Sequence, residues 1–199
     1  MQRYAISSSR LLGGVSRLPE WVAALDAAGV EFVQIREKEL PARELAEVVR
    51  ACLLQCRRIR LLVNTRVDVA VATGAHGAHL PAHPPPPRLW REFVGSDFLF
   101  GVSCHTSEEV RAAATGGADL IVVAPVFPPL SKSADGATVG LDGLSQLCRS
   151  TTVPVFALGG ITADNAPACL RAGAAGVAGI TLFAGYSELP GEAPRNGGG

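Results

Sequence analysis

Along most of the chain, short apolar runs alternate with longer segments in which apolar positions recur every three or four residues. Tyr4-Ala5-Ile6, Phe32 to Ile35, Leu61-Leu62-Val63, Gly77 to Leu80, Phe98 to Val102, Leu120 to Val123, Val155-Phe156-Ala157 and Gly176 to Gly179 each read as a strand. Helical periodicity fills the intervals. Pro19 opens a helix over Leu18 to Ala28 that Gly29 stops, and a second runs from Pro41 or Ala42 to about Arg57 with Leu45, Val48, Val49, Cys52 and Leu53 as its apolar stripe. Further helices are predicted over Arg66 to Thr73, after Thr106, over Leu141 to Arg149, around Ala163 to Ala172 and, briefly, from Ile180. Thr106 and Glu109 have the spacing of a capping box. Pro84 to Pro87 predict a stiff extended loop, and Ala124 to Gly140 forms a connection of a length that usually has a function.

Strands that each lead into a helix predict an α/β fold, a single (β/α)8 TIM barrel over residues 1–186, with an open doubly wound sheet as the runner-up. The glycine- and proline-rich stretch 187–199 is expected to be a disordered tail. Composition narrows the function. The 199 residues are 48% hydrophobic and 18% charged with a formal net charge of +0, a balance without an electrostatic footprint for nucleic acid or an anionic membrane. No apolar run approaches the roughly 20 residues of a membrane span, and Met1-Gln2-Arg3-Tyr4 lacks a secretory pattern, so a cytoplasmic location is expected. Five cysteines without CxxC spacing argue against a disulfide framework and a zinc site.

Candidate chemistry gathers at strand ends. In an extended chain residues two apart share a face, so Gln34, Arg36 and Lys38 point one way and Glu37 the other. Two cations and an amide at the carboxyl end of a strand suit a phosphorylated or pyrophosphorylated ligand; the plain alternative is a solvated charge cluster opening a helix. On a barrel the other strand ends would join them: Asn64, His79, Ser103, and Ser131 and Lys132 from the long connection. The turns at Gly159-Gly160 and Gly179-Ile180-Thr181 add backbone N–H groups where glycine permits close approach of an anion, although turn geometry alone also explains Gly159-Gly160. His79 and His105 are candidate acid/base groups, with a purely hydrogen-bonding role for His105 as the competing reading.

The segments Val33-Gln34-Ile35-Arg36-Glu37-Lys38-Glu39-Leu40, Leu62 to Ala70, Gly101-Val102-Ser103-Cys104-His105-Thr106, Ala124-Pro125-Val126-Phe127-Pro128 with Lys132, and Ala157-Leu158-Gly159-Gly160-Ile161 together resemble the thiamine-phosphate synthase and thiazole tautomerase family. The resemblance implies a thiazole phosphate in the last two glycine turns and a pyrimidine pyrophosphate held by Gln34, Arg36, Lys38, Asn64, Ser103 and Lys132. It implies Mg²⁺ as well, yet the family's Asn-Asp is here Asn64-Thr65, and its later acidic ligand falls where Pro81-Ala82-His83 and four prolines stand. No protein metal ligands are therefore assigned. Two family threonines appear as Pro129 and Ser131, and the histidine of a tautomerase is Ala124. Synthase chemistry is the first reading, with a metal-independent tautomerase or a non-catalytic phosphate-binding barrel as alternatives. Small phosphorylated substrates are the expected partners, together with a second copy in a homodimer.

Overall fold

The computed structural model describes residues 1–128 and 137–188. Eight parallel strands form a closed barrel in sequence order: β1 (Gln2–Ile6), β2 (Phe32–Ile35), β3 (Arg60–Asn64), β4 (Gly77–Leu80), β5 (Leu99–Cys104), β6 (Leu120–Val123), β7 (Val155–Ala157) and β8 (Gly176–Gly179), which pairs back onto β1. The outer layer comprises α1 (Ser9–Leu12), α2 (Leu18–Ala27), α3 (Ala42–Leu53), α4 (Val67–Thr73), α5 (Arg91–Val94), α6 (Ser107–Gly116), α7 (Gly140–Arg149), α8 (Ala166–Arg171) and α9 (Thr181–Ala184). The open-sheet alternative is excluded by the β8 to β1 ladder, in which Tyr4 partners Ala178 and Ala5 partners Gly179.

Strand alternation sorts the core into two. Ala5, Val33, Leu61, Val63, Ala78, Phe100, Val102, Ile121, Val123 and Val177 face outward beneath the helices. Tyr4, Ile6, Leu62, Leu120, Val122, Phe156 and Ala178 fill the interior, with Phe32 and Leu99 packed against them. The rings of Tyr4, Phe32 and Phe156 meet edge to face, with centroids 5.7–5.9 Å apart. A side chain at Gly176 would collide with Phe156 and with the Gln2 backbone, so that position stays small to admit the ring. Each such large buried side chain contributes about 1.5–3 kcal/mol.

The helices follow the expected stripes, with Leu45, Val49 and Cys52 buried on α3 and Leu144 and Leu147 on α7. Thr106 and Glu109 do form the capping box of α6. Trp21 on α2 is buried, and its indole N–H donates to the Phe183 carbonyl at 2.8 Å, so the early helix is pinned to the chain's last one. Helix α3 ends at Leu53, short of the expected Arg57, and α8 covers only Ala166–Arg171 of the expected Ala163 to Ala172; three further segments differ from the sequence pattern. The connection after β1 contains α1 and a 3-10 turn, Val15–Arg17. The run of prolines ends by opening a 3-10 turn, Pro87–Leu89, that leads into α5, because proline's fixed φ suits a first helical position. β5 extends two residues further than expected, through Ser103 and Cys104, which keep the in-and-out alternation. Of the expected disordered tail, 187–199, the first two residues end a 3-10 turn, Gly185–Glu188, and the rest lies outside the described residues.

Candidate active site

The carboxyl ends of the strands open on a polar floor. Register sets Gln34 beside Ile6, Asn64 beside His79, His79 beside Gly101, and Ser103 beside Val122. Gln34 and His79 are 2% and 4% exposed, while Asn64 and Ser103 are half-buried above the aromatic plug. Gly101 makes this floor possible, since a Cβ there would stand 2.5 Å from Nδ1 of His79. The polar groups hydrogen-bond in series: Gln34 Nε2 to the Tyr4 hydroxyl at 3.1 Å, that hydroxyl to His79 Nδ1 at 3.1 Å, and His79 Nε2 to Ser103 Oγ at 2.9 Å. Burial holds the His79 pKa down at about 3, and the Arg36 charge pushes the same way, so the ring is neutral.

Arg36 and Lys38 follow β2 on the rim. The Arg36 N–H donates to Ser7 Oγ at 2.8 Å, Ser7 Oγ donates to Glu37 at 2.6 Å, and Glu37 also accepts the Ser9 hydroxyl at 2.6 Å and the Ser9 N–H. Both Glu37 oxygens are thereby spent on tying the turn after β1 to the turn after β2, on the face opposite Arg36. Neither Arg36 nor Lys38 has an acidic partner among the described residues. Lys38 and Glu37, expected on opposite faces, line one groove of about 330 Å³ with Ile35, Leu45, Asn64 and Thr65, because β2 and its alternation end at Ile35. Thr65 holds φ at +58°, with its N–H on the His79 carbonyl at 2.8 Å.

Across the mouth, the turns after β7 and β8 carry free donors. The backbone N–H groups of Gly159, Gly160, Ile180 and Thr181 donate to no other described residue. Both glycines need positive φ, +97° and +61°, and a Cβ at Gly159 would lie 2.7 Å from Cα of Pro125. Turn geometry and close loop packing thus fully explain the glycines themselves. The unspent N–H groups are the separate observation that suits an anion.

The two histidines have hydrogen-bonding duties. His105 is exposed, but its Nδ1 sits 2.6 Å from the Ala124 carbonyl, bridging the ends of β5 and β6. Ser131 and Lys132 lie outside the described residues. Tyr4 and Ser7 were not singled out in the sequence; the available signal was Tyr4's inward parity, since a phenol inside a barrel needs a partner. Burial pushes the neighbouring Cys104 thiol up to about 12, and it packs outward, as its parity predicts.

The donor set does not fit a resident Mg²⁺. Glu37 is fully engaged, Asp68 pairs with Arg66 at 2.5 Å, and no group of three or more His, Cys, Asp or Glu side chains among the described residues is placed to hold a metal ion. A second groove, of about 790 Å³, lies between α4 and α5, lined mostly by apolar residues such as Val67, Val71, Leu80, Trp90 and Phe93, with Thr65, Asp68 and His83 as its polar lining.

Comparison with known proteins agrees with this geometry. Residues 3–183 match the family model described as thiamine monophosphate synthase. A Geobacter sulfurreducens protein provisionally named a thiamine-phosphate synthase is 47% identical over 182 residues, 90% of this chain and 85% of that protein. The thiamine-phosphate synthase of Moorella thermoacetica is 37% identical over 194 residues, covering 96% and 92%. Among solved structures, a thiamine phosphate pyrophosphorylase from Pyrococcus furiosus superposes with a TM-score of 0.78 at 30% identity, covering 94% of this chain and 93% of that one.

Proposed function

Because this chain belongs to the thiamine monophosphate synthase family, we propose that it joins a pyrimidine pyrophosphate to a thiazole phosphate at the barrel mouth, forming thiamine phosphate and releasing pyrophosphate. The observation that carries the assignment of the site is the shared set of strand ends: Arg36 and Lys38, without an acidic partner among the described residues, follow Gln34 on β2, Asn64 and Ser103 end nearby strands, and the turns after β7 and β8 hold N–H groups that donate to no other described residue.

Arg36 and Lys38 hold the pyrophosphate, with Ser103 donating to one of its oxygens; Lys132 and Ser131, outside the described residues, keep the substrate-binding roles that the family resemblance gives them. Gln34 and Asn64 orient the pyrimidine. The N–H groups of Gly159, Gly160, Ile180 and Thr181 take the thiazole phosphate, and Gly179, where a Cβ would stand 2.8 Å from that of Leu182, ends β8 at the turn that presents two of them. When the bond from the pyrimidine methylene carbon to the pyrophosphate oxygen breaks, its electron pair leaves with pyrophosphate, and the thiazole nitrogen captures the cation left behind. Negative charge grows on the departing group, so fixed donors at this end stabilise the transition state more than the ground state; one such donor is typically worth about 10²–10³ in kcat. The described residues supply no carboxylate cradle.

We place the reaction in the cytoplasm. All five cysteines are free thiols, as a reducing compartment maintains, and no helix of the described residues is long and apolar enough to cross a membrane. The test is direct. Purified protein is incubated with both substrates, with and without Mg²⁺, and thiamine phosphate is measured. Product formation is expected. Its absence under both conditions, with thiazole phosphate still bound, would leave a binding barrel instead.

A further inference from the structure

The polar series through the barrel floor has a direction. An amide nitrogen only donates, so the Tyr4 oxygen accepts from Gln34 Nε2. The phenol's single hydrogen then needs an acceptor, and Nδ1 of His79 is the one within reach among the described residues. A neutral imidazole that accepts at Nδ1 carries its proton on Nε2, and that N–H donates to Ser103 Oγ. With its oxygen accepting from below, Ser103 has its own hydrogen left to point out of the floor. Tyr4 and His79 each accept one hydrogen bond and donate one along the way.

We propose that Tyr4 and His79 are positioning residues that fix Ser103 as a one-way hydrogen-bond donor to an anionic oxygen at the barrel mouth. Three features beyond the distances support this. Tyr4, Gln34 and His79 are 0%, 2% and 4% exposed, so water does not compete for the bonds. Gly101, which partners His79 across the ladder, leaves the space in which the ring stands. The neighbouring Arg36 charge opposes a second proton on His79, which would turn Nδ1 into a donor and strand the Tyr4 hydrogen. The series links four strands, β2, β1, β4 and β5, so Ser103 is aimed by the rigid part of the fold rather than by a loop.

The inference rests on the proposed function for the identity of the anion, but its test does not depend on turnover. Nitrogen-15 NMR of histidine-labelled protein reads the His79 tautomer directly, and inorganic pyrophosphate serves as the probe anion. The expected result is an Nε2–H tautomer in the native chain and a mixture of tautomers in Tyr4→Phe, which removes one hydroxyl and leaves the packing. Pyrophosphate affinity should fall roughly tenfold in both Tyr4→Phe and Ser103→Ala, with no further loss in the double variant, because both act through one hydrogen bond. An Nδ1–H tautomer in the native chain overturns the proposal, since Ser103 would then be the acceptor's partner facing inward. So does additivity of the two substitutions. Failure to form thiamine phosphate alongside the expected tautomer would instead count against the enzymatic reading alone.

Discussion

Thr65 sits where the resemblance leads one to expect an aspartate, and its backbone still has the shape that suits one. With φ at +58° it occupies the left-handed region, which costs an L-residue roughly 1–2 kcal/mol. Branching at Cβ makes threonine a poor occupant. The conformation is imposed from both sides, by the Thr65 N–H on the His79 carbonyl at 2.8 Å and the Arg66 N–H on the Asn64 carbonyl at 2.7 Å. Asparagine enters this region several-fold more often, a preference of about 1 kcal/mol. Against that stands the bond from Thr65 Oγ1 to the Asn64 carbonyl, exposed at 2.8 Å and worth about 0.5 kcal/mol. Thr65→Asn is therefore expected to stabilise the protein by about 0.5 kcal/mol, and Thr65→Val, which keeps the branching and loses the hydroxyl, to destabilise it by about 0.5 kcal/mol. Urea denaturation with an unchanged slope measures both as shifts of midpoint. If the asparagine variant proves less stable than the native chain, backbone strain at Thr65 is not what the φ angle implies.

Other substitutions test other parts of the argument. Arg36→Ala should raise KM for the pyrimidine pyrophosphate about 10–100-fold and leave KM for the thiazole phosphate nearly unchanged, in steady-state assays with each substrate varied. Gly160→Ala places a Cβ 2.8 Å from that of Phe127 at a φ of +61° and should cost about 2–4 kcal/mol in urea denaturation, with weaker thiazole phosphate binding. Asp26 is buried, and one of its oxygens accepts the N–H groups of Arg57, Arg58 and Ile59 at 3.0, 2.8 and 2.8 Å; Asp26→Ala should cost about 2–4 kcal/mol. Burial alone would raise that carboxyl, but the three N–H groups and the Arg58 charge together hold its pKa below the ordinary range. Its charge-dependent contribution is thus complete above the unfolded value of about 3.9 and fades as pH falls through the folded one, so the deficit of the variant should shrink in acid.

How much of this was legible in the sequence depends on the range of the interaction. Strand parity is a local property with a period of two, and it correctly put Gln34 and Ser103 on the inner face and Cys104 on the outer. The capping box of Thr106 and Glu109 is local too. What the sequence did not disclose is bonding between distant residues. Glu37 was read only as a charge turned away from the cluster, whereas it caps the first turn of α1 through Ser9, 28 residues earlier, which is why α1 itself went unseen. Tyr4 looked like one more apolar strand residue, because nothing local shows that its hydroxyl meets His79, 75 positions away. His79 and His105 drew attention because each stands at a strand end; the backbone hydrogen bond named as the alternative for His105 is the one formed, on the Ala124 carbonyl, whereas the burial of His79 became visible only in three dimensions.

The division between floor and rim follows from the cost of charge in a closed barrel. An ion buried without a partner costs several kcal/mol, so groups beneath the mouth must be neutral and hydrogen-bonded to one another, as Gln34, Tyr4, His79 and Ser103 are. Cations are tolerable only past the strand ends, where half-buried Arg36 and exposed Lys38 keep water until a ligand replaces it. The rim therefore supplies attraction, which salt screens, and the floor supplies aim, which salt does not touch. Replacing a rim cation should lower affinity and flatten its dependence on ionic strength. Breaking the floor series should leave that dependence as it was and lower kcat, because the anion still arrives but the donor beneath it no longer points one way.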